Sequence, residues 1–554
     1  MHARVAPMLN EKLLLRIRLC ILMFFQFFVW ACWMVPIGTF GPSVRGFTGS
    51  EMGWVFSTTA IAAIVSPLFV GFVADRLFDT EKILAVLHLI GGICLILTGV
   101  QTSFWLFFIF LLVNTLAFMP TLALANSLTF RNLDDPATFP RIAMFGTIGW
   151  IISGWIVGLF IGERSPAFFY LGGAVEILLA AYVLTLPHTP PQAKEAGIAD
   201  LLGLGAVKLL KDPEFLLFTL CAFLIGIPAV YYFVSANLYL TQIGAPAPTA
   251  LMTMGQVCEI VAMAIMPIFI AQLGLHKVLA LGMAVWALRY LLFASEVYPL
   301  VLLGILVHGF CYVFVYVGSY IFVDTKAPRE LRASGQSFIA FLMLGVAWLI
   351  GANLAGRTND AYPAKVSTLM TARIIPEGVT LPSWNELAQD FDQNKDGIIT
   401  SDEIQQALNN VPQGQKQEDR RKQFEALKAV MPLVPASTFG HVQAAVAGKS
   451  VYITKGDYLA VNRLGWRDIW LWPAIMALVV FALFTLGMPR KKESGAETTG
   501  GETSPPPAAP AETAASTPES EPATSGEAAA SQSEPTPETP SEGASTPSDS
   551  GTSG

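Results

Sequence analysis

The sequence predicts an all-α membrane protein: twelve transmembrane helices in two pseudo-symmetric halves of six, with a small helical domain inserted before the last one. Three observations carry this expectation. Of the 554 residues, 53% are hydrophobic and only 14% charged, against about 25% charged in an average soluble domain. Apolar runs of the roughly 20 residues needed to cross a bilayer recur about twelve times. Between the last two runs lies a polar stretch carrying FDQNKDGIITSDEI at 391–404.

The runs cover 17–40, 53–74, 83–101, 104–128, 142–162, 166–186, 214–240, 249–271, 277–296, 298–323, 334–357 and 468–488. The first follows Arg16 and Arg18, but it is too long for a secretory signal and lacks a small-residue cleavage site. Cys20, Cys32, Cys94, Cys221, Cys258 and Cys311 all lie inside these runs, where they read as packing residues and not as a disulfide framework or zinc site. Lys12, Arg16, Arg18, Arg76, Lys82, Arg131 and Arg141 mark one set of connections, whereas the opposite short loops hold little beyond Arg45 and Arg164. The positive-inside rule therefore puts both termini in the cytoplasm and the insertion outside, as expected of a multi-pass protein of a bacterial cytoplasmic membrane.

Residues 1–187 form the first half, 188–213 a cytoplasmic linker, 214–357 the first five helices of the second half, 358–467 the insertion and 468–489 the last helix. GFVADRLFDTEK after the second run is faintly echoed by PIFIAQLGLHK at the end of the eighth, the same place in each half. Repeated halves around a midplane cavity are the usual architecture of secondary transporters, which expose that cavity to each side in turn. Residues 490–554 hold no aromatic side chain and too little apolar surface to offset the entropy of ordering, which predicts a disordered cytoplasmic tail. Most of the net charge of −7 sits there, and nothing in the charge pattern points to nucleic acid. Membrane lipid, a small solute and protons are the expected partners.

An EF-hand loop needs oxygen ligands at its first, third, fifth, seventh, ninth and twelfth positions and Gly at the sixth. Asp392, Asn394, Asp396, Thr400 and Glu403 fall on the side-chain positions, Ile398 offers its carbonyl, and Gly397 makes the turn. SWNELAQDF reads as the entering helix and EIQQALNN as the leaving one. Ca2+ is thus the expected cofactor, against the alternative of a chance acidic turn. Sites of this type outside the cell bind at roughly 10⁻⁴–10⁻³ M, which suits a structural role. EF-hands pair through a short strand, and in YITKGDYL the residues Ile453, Thr454 and Asp457 repeat the spacing of Ile399, Thr400 and Glu403. VAGKSV upstream offers no carboxylates, so 413–465 reads either as a degenerate second hand or as an unrelated helical linker.

An ionisable group at the centre of a membrane helix costs about 2.5–3.5 kcal/mol on insertion scales, so each one asks for a reason. Glu259 lies three residues after Gln256, on the same helix face. A carboxylate facing a partly dry cavity can be neutral in one state and ionised in another, which is the chemistry of proton coupling. The competing reading is a structural ion pair with Arg289. His308 would titrate near neutrality if it reached the cavity, and Glu176 lies in the sixth run; either could equally be a satisfied packing residue. No Ser/His/Asp, Cys/His or metal-ligand cluster at the membrane face points to an enzyme.

FFQFFVWACW (24–33), NTLAFMPTLALANS (114–127), FGTIGW (145–150), TLPHTPP (185–191) and GQVCEI (255–260) together resemble the nucleoside:proton symporter family of the major facilitator superfamily. GFVADR resembles the loop motif of that superfamily. The resemblance covers about 17–357 and 468–488 and implies the major facilitator fold, with proton-coupled uptake of a nucleoside or related small polar metabolite by alternating access. It also implies a pocket in which Gln256 and Glu259 contact the substrate, Glu259 being the coupling carboxylate. Thr147 and Trp150 match polar and aromatic positions of the sugar and base pocket, a ring suiting base stacking. Where the family has Arg, Gln, Asn and Asp, this chain has Ala143, Val230, Phe233 and Val313, with Arg141, Tyr231, Tyr232, His308 and Tyr312 nearby. A pocket with fewer hydrogen-bonding groups selects less strongly for hydroxyls. The alternatives are therefore another organic solute, such as a sugar or aromatic compound, or a calcium-responsive receptor or scaffold that does not transport.

Overall fold

Among the described residues, ten helices are long and apolar enough to cross a bilayer, and eleven if one bent pair counts as a single span. The first half supplies α1 (Lys12–Arg45), α2 (Gly49–Phe69), α3 (Thr80–Val100), α4 (Phe104–Arg131) and α5 (Pro136–Ile161). It also holds α6 (Ala167–Val183), an apolar helix of 17 residues. At 1.5 Å per residue α6 is ~26 Å long, a little under the hydrocarbon thickness of about 30 Å. The second half supplies α7 (Pro213–Gln242), α8 (Pro248–Leu273) and α9 (Leu275–Ala294). The bent pair α10 (Tyr298–Leu306) and α11 (His308–Lys326) meets at 42°, and α12 (Arg329–Ala361) follows. Twelve spans were expected; among the described residues ten meet the length and composition, the bent pair makes an eleventh if counted as one, and α6 falls short of the length.

The structure, a computed structural model, describes residues 2–70, 78–191, 202–364, 384–410, 418, 420–422, 424, 451–454 and 463–488. The loop motif at 71–76, linker residues 192–201, most of 413–465 and the tail 490–554 lie outside the described residues.

Within each half the helices meet along glycine seams, as membrane bundles do when small residues let backbones approach. A Cβ on Gly92 would lie 2.7 Å from the Gly173 carbonyl, and one on Gly173 would lie 2.6 Å from the Gly92 carbonyl, so α3 and α6 touch through backbone. Gly149 of α5 is held in the same way against the Phe24 carbonyl of α1.

Among the described residues, the halves meet closely at the end of the bundle that carries the insertion. The carboxylate of Asp360, at the end of α12, accepts hydrogen bonds from the Gly49 N–H (2.6 Å), the Ser50 N–H (2.7 Å) and the Ser50 hydroxyl (2.5 Å). It thereby caps the N-terminus of α2, where unpaired backbone donors and the helix dipole favour an anion. A Cβ on Gly356 would lie 2.1 Å from the Gly49 carbonyl. Deeper in the same seam the Trp348 indole donates to the Phe56 carbonyl and the Asn353 amide to the Ser57 hydroxyl. A second clasp repeats the idea: Glu163, just past α5, accepts from the Thr249 N–H (2.8 Å) at the start of α8. The Trp155 indole donates to the Thr253 hydroxyl beside it.

The insertion opens with α13 (Trp384–Phe391), followed by the acidic loop, β1 (Ile398–Thr400) and α14 (Ser401–Asn409). Leu387, Phe391, Ile399, Ile404 and Ala407 are buried between them. β1 pairs antiparallel with β2 (Val451–Thr454), Ile399 opposite Ile453. The chain returns to the membrane through α15 (Trp466–Gly487). The Gly465 N–H donates to the Tyr362 carbonyl at 3.0 Å, so the two ends of the insertion are adjacent.

Loss of a helix cap costs ~1 kcal/mol, enough to change a two-state population several-fold. We expect Asp360→Ala to raise the labelling rate of Asn353→Cys, by a membrane-impermeant maleimide applied from the insertion side, about fivefold over the same cysteine with Asp360 intact. An unchanged rate would show that this clasp does not hold the end shut.

Candidate substrate and metal sites

Four of the residues singled out in the sequence come together where α8 meets α11. Gly255 and Gly309 allow the approach: a Cβ on Gly255 would lie 3.1 Å from the His308 side chain, and one on Gly309 would lie 2.3 Å from the Cys258 carbonyl. Gln256 is half-buried, and its Oε1 is buried with no hydrogen-bond partner. Glu259, one turn on, is 3% exposed. Tyr312 is half-buried and stacks on Tyr316, with His308 5.6 Å away on its other side.

His308 itself points into the second half. Its Nδ1 meets Nη1 of Arg289 at 2.8 Å, and Arg289 is fully buried with its guanidinium 3.6 Å over the ring of Tyr232. Two further guanidinium nitrogens of Arg289, Nε and Nη2, have no hydrogen-bond partner. Tyr231 turns to the hydroxyl of Thr358. The aromatic residues of α7 thus serve the core more than a pocket, although Phe233 remains half-buried against Trp348 at 4.9 Å. Val313 is buried among Ala262, Met266 and Phe314.

Thr147 and Trp150 are both half-buried on α5. Trp150 packs edge-on against Trp30 of α1 at 5.5 Å, and Trp30 against Phe118 of α4 at 6.0 Å. Arg141 is exposed. These residues form a cluster of the first half, joined to the α8 cluster through the α5–α8 seam at Trp155 and Thr253.

In the acidic loop the proposed ligands converge through hydrogen bonds to the loop's own backbone. Asp392 accepts from the N–H groups of Asp396 (3.2 Å) and Gly397 (3.0 Å), and Asp396 accepts from Ile398 N–H (2.8 Å). Glu403 reaches back over the loop to accept from Thr400 N–H (3.1 Å) and the Thr400 hydroxyl (2.8 Å), completing a capping box at the start of α14. Gly397 sits at φ +77°, as the sharp turn requires. Burial, and then the neighbouring Asp396 and Glu403 carboxylates, push the Asp392 carboxyl above the usual range despite the Gly397 and Asp396 N–H bonds. Carboxylates crowded around one concave turn are a donor set suited to a hard cation.

One cluster had no signal in the sequence. Asp79, Glu81 and His188 lie within 4.8 Å of one another, where Glu81 accepts from Thr189 N–H at 3.0 Å and meets His188 Nδ1 at 2.8 Å. They fasten TLPHTPP to the start of α3. The contact joins residues more than a hundred positions apart, which no local pattern announces.

Comparison with known proteins agrees with this architecture. Residues 13–376 match the family described as Nucleoside H+ symporter. A putative nucleoside transporter, YegT, of Escherichia coli is 41% identical over 354 residues, covering 61% of this chain and 83% of the relative. The xanthosine permease of the same bacterium is 31% identical, covering 62% and 88%. The crystal structure of the nucleoside transporter NupG, 29% identical, superposes with a TM-score of 0.59 over 63% of this chain and 91% of that one. A bacterial homologue of the human lysosomal transporter Spinster, 13% identical with a TM-score of 0.56, shares the fold. With two thirds of its length matched to one profile and its helices laid out like those of solved members, the chain belongs to the nucleoside H+ symporter family of membrane transporters.

Proposed function

We propose that this protein carries a nucleoside, or a closely related polar metabolite, into the cell together with protons, by alternating access between its two halves. The relatives named above supply the substrate class. The observation that carries the reading on this chain is the pairing, on one face of α8, of buried Glu259 with a Gln256 carbonyl oxygen that has no partner. A buried acceptor left unpaired costs about 1–3 kcal/mol, which a substrate hydroxyl or amino group would relieve. Glu259 is the proposed coupling carboxylate, Gln256, His308 and Tyr312 the groups around it, and Thr147 and Trp150 the polar and stacking surface contributed by the first half. We count α6 and the bent pair as spans, which makes twelve, with both termini cytoplasmic and the insertion outside. The clasps at Asp360 and Glu163 then belong to a form closed to the outside.

In the insertion, calcium would be held by Asp392, Asn394, Asp396, Thr400 and Glu403 with the Ile398 carbonyl, and would supply a charge that lets the carboxylates sit together. The pairing of β1 with β2 supports reading 413–465 as a degenerate second hand. Such a unit is small, and bound metal adds directly to its folding free energy.

Proteoliposomes with an inward proton gradient should accumulate labelled nucleoside, and Glu259→Gln should abolish uphill accumulation while retaining exchange at equal pH. Accumulation unchanged in the variant would remove Glu259 from coupling. Calcium should raise the melting temperature of the insertion's transition in the full-length protein, and Asp392→Ala should cancel the increase; an equal increase in both would remove the calcium site.

The pH dependence has a definite sign. With its carboxyl raised, Asp392 favours its protonated form in the calcium-free fold, so its stabilising contribution is complete below the ordinary aspartate value of about 3.9 and is lost as pH rises through the raised one. Calcium-free insertion should therefore lose stability on going from acid to neutral pH, and the calcium-induced increase should grow over the same interval. Thermal melts at several pH values, with calcium or chelator, measure both.

A further inference from the structure

The first half contains a second buried carboxyl, far in sequence from Glu259 and fully enclosed. Glu176 of α6 and His88 of α3 are both 0% exposed, and His88 Nδ1 lies 3.4 Å from Glu176 Oε1. Gly91 makes the room, since a Cβ there would lie 2.4 Å from Oε1. Asn114 of α4 donates through Nδ2 to Glu176 Oε2 (3.3 Å) and to the Gly91 carbonyl (3.0 Å). On the other side of the ring, His88 Nε2 meets Gln26 Oε1 of α1 at 3.1 Å, while Gln26 Nε2 donates to the Thr121 hydroxyl at 2.6 Å.

Following the donors along this chain locates a proton. The Thr121 hydroxyl spends its hydrogen on the Phe118 carbonyl at 2.6 Å, so it can only accept from Gln26, which fixes the Gln26 amide with its oxygen toward His88. His88 Nε2 must then be the N–H that this oxygen accepts. The remaining ring nitrogen, Nδ1, faces a carboxyl oxygen. If neither group carried a proton, a lone pair and a carboxylate would confront each other in a dry interior, which is strongly disfavoured. The contact therefore holds one proton, either on Glu176, donating to a neutral ring, or on Nδ1, donating to the carboxylate. Either way the pair stores a proton as one unit.

We propose that His88 and Glu176 form a proton-binding site of the transport cycle, in the half opposite Glu259. Among the described residues, the other titratable group near the pair is Cys94 of α3; α1 and α4 present only Gln26, Asn114 and Thr121. The site is also connected to the proposed substrate surface by packed rings: His88 to Phe118 at 6.1 Å, Phe118 to Trp30 at 6.0 Å, and Trp30 to Trp150 at 5.5 Å. Removing the proton breaks the α3–α6 contact at His88, and the ring stack gives that change a contiguous route to Trp150.

The inference rests on proton symport as the function, and the experiment separates the two. Glu176→Gln reproduces the protonated network, because the new amide can donate to His88 Nδ1 and accept from Asn114, but it cannot release a proton. In proteoliposomes, nucleoside exchange at equal pH should stay within about twofold of wild type, while accumulation driven by a proton gradient falls roughly tenfold or more and loses its pH dependence. If wild type itself accumulates nothing under the gradient, the symport reading fails. If wild type accumulates, and Glu176→Gln does so equally with the same pH profile, this inference alone is overturned. Should Glu176→Gln not reach the membrane, His88→Gln tests the same pair: exchange kept and accumulation lost supports it, and wild-type accumulation overturns it.

Discussion

The two halves meet through backbone at one end of the bundle, and the rest of the structure follows from how that contact is made. Hydrocarbon offers no hydrogen-bond partner, so a membrane helix must have its backbone satisfied from within the protein. At Gly49 and Gly356 two helices come as near as peptide groups can, and the exposed N–H groups opening α2 are satisfied by an acid from the other half. Such a join is tight in geometry and modest in energy. It is made of a few bonds near the surface, where water can take over each of them, which suits an interface that must part and re-form. The Glu163 clasp at the opening of α8 obeys the same logic at the related position of the second half.

Inside each half the chemistry differs. The second half buries a cation, Arg289, on aromatic faces and beside an imidazole, while the first buries an acid, Glu176, between an imidazole and an amide. Each arrangement ties together the helices that carry it, α7, α9 and α11 in the second half and α3, α4 and α6 in the first.

Composition made the membrane class readable, and run length made most spans readable, because each helix must be apolar along its whole lipid-crossing length. The acidic loop stood out for the opposite reason: all its proposed ligands lie within twelve consecutive positions, and even the pairing of Ile399 with Ile453 left a trace in two similar strings. The family strings pointed to Gln256, Glu259, Thr147 and Trp150, and the structure brings the helix segment of the first two against that of His308. Contacts between distant positions stayed hidden. Asp360 meets Ser50 across 310 residues and Gln26 meets Thr121 across 95, and no local pattern encodes either. Tyr231 and Tyr232 flank the positions where the family has Gln and Asn, and the rotation of α7 buries both in the core, which spacing along α7 alone could not decide.

The insertion leaves and rejoins the bundle at neighbouring points, with Tyr362 bonded to Gly465, Gln242 accepting from both Leu464 and Trp466, and Glu296 gripping Arg463. A load applied to the insertion therefore passes through these stitches before it can reach the last helix. Tension between the two ends of the insertion falls first on the Gly465–Tyr362 bond and on the Gln242 and Glu296 contacts at its base. Were a metal to bind the acidic loop, its effect on the bundle would pass through this same base.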